Sequence, residues 1–282
     1  MAQQADTTNE VDFLEQIRDL ESRLAELQIQ QQEMRDSIRY AGRLQYAVLP
    51  MLRSFQRCFS DAFVLFKPKD IVSGDFYWIY EYGDDIFFAV GDCTGHGVPG
   101  AMVNMAGSTL LRQIIRQDGV SDPGLIMHIL NEELVNLFNE NLSKGKTNDG
   151  MDLVFCKFNK RTMQGSYCGA GRPLLRVRDG VLTEFKKGLS SIGYFPGEAK
   201  QFETSRFELA PGDSFYLFSD GYTDQFGGEN VKKFNRKRFR NLLLSVNEFP
   251  MEKQREELLF QFNNWKGKQT QIDDVCVIGV RI

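Results

Sequence analysis

Four acidic positions stand where apolar, β-favouring runs begin or end. Asp75 opens DFYWIYEY, Asp92 closes IFFAVGD, Asp220 follows FYLFS, and Asp273 with Asp274 precedes VCVIGV. Asp75 and Asp92 bracket a predicted hairpin whose turn, Gly83-Asp84-Asp85, supplies the backbone freedom of a tight reversal. In an antiparallel hairpin the start of the first strand lies beside the end of the second, so these two carboxylates become neighbours. Two unpaired carboxylates that close repel each other, and a divalent cation relieves the repulsion. Strand-end carboxylates from four distant parts of the chain suit a site at one edge of a sheet sandwich. Hard oxygen donors without histidine or cysteine clusters favour Mg²⁺ or Mn²⁺ over zinc. Any one Asp beside Gly is ordinary turn chemistry; four of them, each against an apolar strand, make the metal reading the stronger one.

Other residues compete for chemistry. Asp152 shares a strand face with Val154, Cys156 and Phe158 and should point inward, where a carboxylate needs a partner; a hydrogen-bonded structural role explains it equally well. Cys93 follows Asp92 directly, but a cysteine phosphatase needs a phosphate loop with arginine after the nucleophile, and none follows. His96 shapes the glycine-rich turn GDCTGHGVPG, which lacks the Gly-Lys-Ser/Thr ending of a nucleotide-binding loop. His128 lies among apolar neighbours in a predicted helix and reads as structural. The basic cluster Lys232, Lys233, Arg236, Lys237, Arg238 and Arg240 reads first as a solvated helix face; the sharper reading is a surface that steers an acidic partner protein.

The elements that must hold these residues are legible in the periodicity. From Phe13 to Val48 apolar residues recur at alternating spacings of four and three through Ile17, Leu20, Leu24, Leu27, Met34, Ile38 and Ala41, with Gln31 and Gln45 on the same seam and no proline before Pro50. That pattern predicts a coiled-coil helix that pairs two copies of the chain, the glutamines setting register. After Pro50 come an approach segment, a strand at 62–67, the hairpin, a helix from Pro99 to about Arg116, and a second helix after Ser121-Asp122-Pro123. A loop, LSKGKTNDG, leads to strands MDLVFCKFN, GSYCGAG, PLLRVRDGVLTEFK, QFETSRFEL and SFYLFSD, then helices at 231–246 and 250–265 and a closing strand DVCVIGVRI. Strands and helices come in blocks rather than alternating, which predicts an α+β fold with largely antiparallel sheets covered by helices. The expected organisation is a flexible N-terminus at 1–12, a coiled-coil helix at 13–49, and one catalytic domain at 50–282.

Composition narrows the function classes. A chain of 282 residues with 42% hydrophobic residues can bury a sizeable core, and a net charge of -4 argues against a general nucleic-acid binder. Five scattered cysteines without a CxxC pair suggest neither a disulfide framework nor a zinc cluster, and a reducing cytoplasm suits them. No apolar run approaches membrane-spanning length, so no membrane partner is expected.

The segments SGDFYW, FFAVGDCTGHGVPGA, GAGRPLL, FSDGYTDQFGG and DDVCVIGV, in this order, resemble the SpoIIE/RsbU branch of the metal-dependent, type 2C-like (PPM) serine/threonine phosphatases over residues 50–282. The resemblance implies an αββα sandwich, an antiparallel β-sandwich flanked by helical layers, that carries a binuclear Mg²⁺ or Mn²⁺ centre. Carried over motif by motif, it makes Asp92 the carboxylate bridging two metals, with Asp75 and the Cys93 carbonyl on one of them. Asp220 and Asp273 complete the other, Asp274 being able to exchange with Asp273, and Asp224 matches a residue that in some relatives helps hold a third, weaker ion. The ions would supply an activated water, so no nucleophilic side chain is required. His96 stands four residues after Asp92, whereas eukaryotic relatives place a candidate acid two after, which leaves the general acid unassigned. The implied substrate is a phosphoserine or phosphothreonine protein, in this family often an anti-sigma-factor antagonist. The competing class is a catalytically silent pseudophosphatase acting as a dimeric binding module, which retention of the principal aspartates disfavours.

Overall fold

The computed structural model describes residues 2–116, 120–139, 148–186, 188–193 and 200–282, with the backbone alone for residues 2–15. The chain divides into two compact units, Met1–Leu44 and Gln45–Ile282. Helix α1, Ala2–Val48, forms the first unit and contributes its last turn to the second. The stretch expected to be flexible, 1–12, is therefore helical from Ala2; no proline or glycine precedes Gly42 to interrupt it. Within the first unit the seam residues Leu20, Leu24, Leu27 and Met34 are all more than half exposed.

In the second unit the approach segment is itself a short helix, α2 (Leu52–Cys58), anchored by the fully buried Phe55. It leads into β1 (Asp61–Lys67), then the predicted hairpin, β2 (Asp75–Tyr82) and β3 (Asp85–Cys93), closed by the pair Tyr82–Asp85. Helices α3 (Gly97–Arg116) and α4 (Pro123–Asn139) follow. Strands β4 (Gly150–Asn159), β5 (Gln164–Ala170), β6 (Leu174–Arg178), β7 (Val181–Phe185), β8 (Ile192–Gly193), β9 (Ser205–Glu208) and β10 (Ser214–Phe218) come next. The chain closes with α5 (Gly221–Asp224), β11 (Phe226–Gly227), β12 (Lys232–Lys233), α6 (Arg236–Val246), α7 (Met251–Lys266) and β13 (Val275–Arg281). The two-residue strands and the one-turn α5 are too short to leave a periodic signal. For the same reason the helix expected at 231–246 begins only at Arg236, capped by the Asn235 side chain accepting from the Arg238 amide; Lys232 and Lys233 belong to a small hairpin before it. Of the loop LSKGKTNDG, residues 142–147 lie outside the described residues.

Two antiparallel sheets stack face to face. One has the strand order β1-β13-β10-β6-β7; the other runs β2-β3-β4-β5-β9, with β8 paired to β4. Strand alternation sorts the core: along β3, Phe88 and Val90 face the opposite sheet, whereas Phe87, Ala89 and Cys93 pack under α3 and α4. Between the sheets Phe158 meets Phe88 and Phe215 edge-on at centroid distances of 4.8 and 4.7 Å. A third cluster, including Phe218, Tyr222, Phe239 and Phe262, buries α6 and α7 on the other outer face. This is the α+β sandwich with helical layers on both sides that the sequence predicts.

Candidate metal centre

Sheet register assembles half of the site. Asp75 pairs with Asp92 across β2 and β3, and Asp92 pairs with Asp152 across β3 and β4, so three carboxylates stand in a row on adjacent strands. They continue the series Val90 and Val154 that faces the opposite sheet, and the row therefore ends the inter-sheet core at one edge. The opposite sheet supplies the rest. The end of β10 lies beside the start of β13, with the Ser219 amide donating to the Cys276 carbonyl at 3.0 Å, which brings Asp220 and Asp273 to the same edge. A cleft of about 310 Å³ opens there, lined by Asp92, Cys93, Asp152, Asp220 and Asp273, with Thr94, Gly95 and His96 of the glycine-rich turn, Met151, Ser191 and Arg172.

The turn fits against β2 because Gly74 has no side chain: a Cβ there would sit 2.6 Å from the Gly95 carbonyl oxygen. Around Asp75 a buried network fixes the backbone. Ser73 Oγ accepts from the Asp75 amide at 3.1 Å, and Asn104 Nδ2 donates to the Asp75 carbonyl at 2.8 Å. Gln45 donates to the Ser73 carbonyl at 2.6 Å and accepts from its amide at 3.0 Å. Gln45, read from the heptads as a register residue, is thus a fully buried partner of the segment that leads into the strand of Asp75.

The electrostatics are those of carboxylates short of positive charge. Burial, then the neighbouring Asp92, holds the Asp75 carboxyl well above the usual range, and its Oδ2 has no hydrogen-bond partner. Burial likewise lifts Asp92 to about 7; Arg172 pulls it down, but Asp220, Asp273 and Asp152 push it up. Asp273 is raised too, first by burial. The Cys93 thiol is buried among the residues under α3, and burial, Asp92 and Asp75 push its pKa up, which favours the protonated thiol over a thiolate.

The remaining sequence candidates separate. Asp273 lines the cleft, whereas both oxygens of the buried Asp274 accept backbone amides, from Lys69 at 2.7 Å and Gly74 at 2.8 Å. Asp224 lies outside the cleft lining and binds Lys233 Nζ at 2.6 Å. Asp152 points inward as expected, accepting from Ser191 Oγ at 2.5 Å. His96 stands at the rim with Nδ1 3.0 Å from Asp70 Oδ2. His128 is exposed on α4 beside Glu132 rather than packed among its apolar neighbours.

Sequence reasoning missed Arg172. Its side chain is 7% exposed, and Nη2 donates to Asp92 Oδ2 and, at 2.8 Å, to Asp220 Oδ2, while Nε lies 3.3 Å from Asp152 Oδ2. Burial disfavours its charge, but Asp92, Asp220 and Asp152 outweigh burial and raise its pKa. The motif GAGRPLL contains the residue, yet nothing in that string reveals that it lies where the chain crosses from β5 in one sheet to β6 in the other. Gly171 permits the crossing: its φ is +71°, and a Cβ there would sit 2.3 Å from Asp152 Cγ.

The donor set tests well for a hard divalent cation. A buried carboxylate oxygen without a partner, raised carboxyl pKa values and oxygen ligands alone are what Mg²⁺ or Mn²⁺ would satisfy. Among the described residues no three acidic, histidine or cysteine side chains already converge as a ready cage, and the Arg172 guanidinium links Asp92 to Asp220.

Comparison with known proteins bears on the family and the fold. Residues 82–282 match the family model described as stage II sporulation protein E (SpoIIE). The SiaA-PP2C domain of Pseudomonas aeruginosa is 31% identical, with a TM-score of 0.79 over 89% of this chain and 98% of that one. Two further likenesses concern the fold alone. The PP2C phosphatase domain of SpoIIE from Bacillus subtilis, with a fragment of its regulatory domain, is 18% identical with a TM-score of 0.62, over 79% of this chain and 63% of that one. The serine/threonine phosphatase PstP/Ppp of Mycobacterium tuberculosis is 13% identical with a TM-score of 0.55, over 78% and 97%. Among curated proteins none matches the chain.

Proposed function

The chain belongs to the SpoIIE family of PP2C-type phosphatases, and from that premise we propose that it hydrolyses phosphoserine or phosphothreonine on a signalling protein, dependent on Mg²⁺ or Mn²⁺. The observation that carries the reading is the meeting of Asp92 and Asp152 with Asp220 and Asp273 in one open cleft, with the buried Asp75 paired to Asp92 directly behind its lining. Asp92 would bridge two ions, Asp75 and the Cys93 carbonyl would hold one, and Asp220 and Asp273 the other. Asp274 and Asp224, already engaged by backbone amides and Lys233, are left out of the set. When bound, the ions supply an activated water and offset the charge of the phosphoryl oxygens.

The protein's own part is to hold the carboxylates rigidly. The Gln45–Ser73–Asn104 network fixes Asp75, and the strand ladder fixes Asp92 and Asp152. The exposed seam of α1 supports a homodimer through that helix. Five free thiols support a reducing cytoplasm, and among the described residues no helix is long and apolar enough to cross a membrane. The implied substrate is a phosphorylated anti-sigma-factor antagonist or a protein of similar role.

Phosphate release from a phosphoprotein with Mn²⁺, measured for the wild type, Asp92→Asn and Asp220→Asn, tests the reading. Turnover should fall at least about a hundredfold in each variant, the scale of losing a transition-state charge contact. Turnover that survives both substitutions refutes the metal assignment. One observation favours a second reading, the silent binding module: Arg172 occupies the carboxylates. Wild-type protein that binds Mn²⁺ yet releases no phosphate would establish it.

A further inference from the structure

Arg172 is a cation that the chain itself inserts among the residues proposed to hold metal. It is a poor permanent occupant. Nη2 alone serves both Asp92 and Asp220, whereas a settled arginine–carboxylate pair uses its fork in parallel. The buried Nε–H makes no hydrogen bond, although Asp152 lies 3.3 Å away. Nor does the guanidinium relieve the whole cluster, since Asp75 Oδ2 stays without a partner. The guanidinium thus meets Asp92, Asp152 and Asp220 but leaves its own Nε and the Asp75 Oδ2 unsatisfied. The backbone on either side is held by the sheets, because β5 ends at Ala170 and β6 begins at Leu174. The part free to change place is the long side chain.

We propose that Arg172 is a tethered counter-cation that fills the cluster in the metal-free protein and is displaced when a divalent ion enters, so that metal binding and release of its guanidinium are one competitive equilibrium. This rests on the proposed metal-dependent reading of the same cleft. The competition would set a threshold: the metal-free fold keeps its carboxylates compensated, and ions bind only at concentrations that outcompete an attached rival. A static strut would instead keep its contacts whether or not an ion is present.

Two measurements on the full chain separate these roles without reference to turnover. Calorimetric titration with Mn²⁺ should give Arg172→Gln an apparent Kd at least tenfold lower than the wild type. Its metal-free melting temperature should fall, and the rise on adding Mn²⁺ should be larger. Because Arg172→Gln can fail to fold without metal, the second measurement uses the wild-type protein. The ¹⁵N–¹H signal of Arg172 Nε, assigned by its loss in Arg172→Lys, should shift or broaden as Mg²⁺ is added to metal-stripped protein. A signal unmoved at saturating Mg²⁺, or Mn²⁺ affinity that is equal or weaker in a folded Arg172→Gln, overturns the displacement while leaving the metal site standing. Absence of Mn²⁺ binding to every form overturns the metal reading and this inference together.

Discussion

Asp92 concentrates the energetics of the site. Its carboxyl titrates near 7 in the folded protein, against 3.8 ordinarily, because burial and neighbouring carboxylates disfavour the charge. The folded state therefore binds protons that the unfolded chain has released. The stability linked to this group is complete below about pH 4 and is lost as pH rises through about 7. Asp75 and Asp273 shift in the same direction. Metal-stripped protein should accordingly melt at a lower temperature at pH 8 than at pH 5.5, and Asp92→Asn should flatten that dependence. A wild-type melting temperature that rises over this interval contradicts the assignment. Ligation needs ionised carboxylates, so Mn²⁺ affinity should climb across the same window, with proton release on binding measurable by calorimetry in buffers of different ionisation enthalpy.

At the scale of elements, two short segments outside the two stacked sheets matter. The last turn of α1 reaches β2 through Gln45, whose side-chain amide satisfies both backbone groups of the buried Ser73. Gln45→Ala leaves the Ser73 amide without that partner and should cost about 1–3 kcal/mol in a denaturant melt, with weaker Mn²⁺ binding because Asp75 follows two residues later. Unchanged stability and affinity would make the contact dispensable. The hairpin strand β12 and the start of α6 together carry the basic cluster, but its charges are not equivalent. Lys233 binds Asp224, Arg240 binds Glu184 at 3.3 Å, and Arg238 stacks 4.1 Å over Trp265, whereas Arg236 and Lys237 are exposed. Charge reversal at Arg236 and Lys237 should raise KM severalfold for a phosphoprotein and leave a small phosphate ester unaffected. Equal effects on the two substrates dismiss the steering role.

Considered as a molecule, the protein joins a helix with an exposed apolar seam to a sandwich whose site draws on both sheets. Deleting residues 1–38 should leave residues 45–282 folded, since that unit holds the three core clusters. Sedimentation should show a dimer for the full chain and a monomer for the shortened one, and metal-dependent turnover should change by severalfold. A monomeric full chain contradicts dimerisation through the seam, and unchanged turnover in the shortened protein reduces the helix to a tether.

Local sequence determined much of this. Near-continuous apolar, β-favouring runs of strand length specify β2, β3, β4 and β13 within a residue or two, because strands covered on both faces are buried at almost every position. Those strand ends in turn determine that Asp75, Asp92, Asp220 and Asp273 come to an edge, and Asp152 inward, since hairpin geometry and alternation are local rules. Tertiary structure alone decided the rest. Asp273 and Asp274 are adjacent in sequence, yet one faces the cleft and the other is taken up by amides from Lys69 and Gly74, some two hundred residues away. Gln45 carries the period of a coiled coil but meets its partners in a strand approach 28 residues on. Arg172 belongs to no local pattern at all; its charge acquires meaning only where the chain crosses between sheets and meets carboxylates from β3, β4 and the end of β10. Periodicity records which way a side chain faces, whereas the identity of the group it faces is a contact between distant residues, and only the packed fold brings those together.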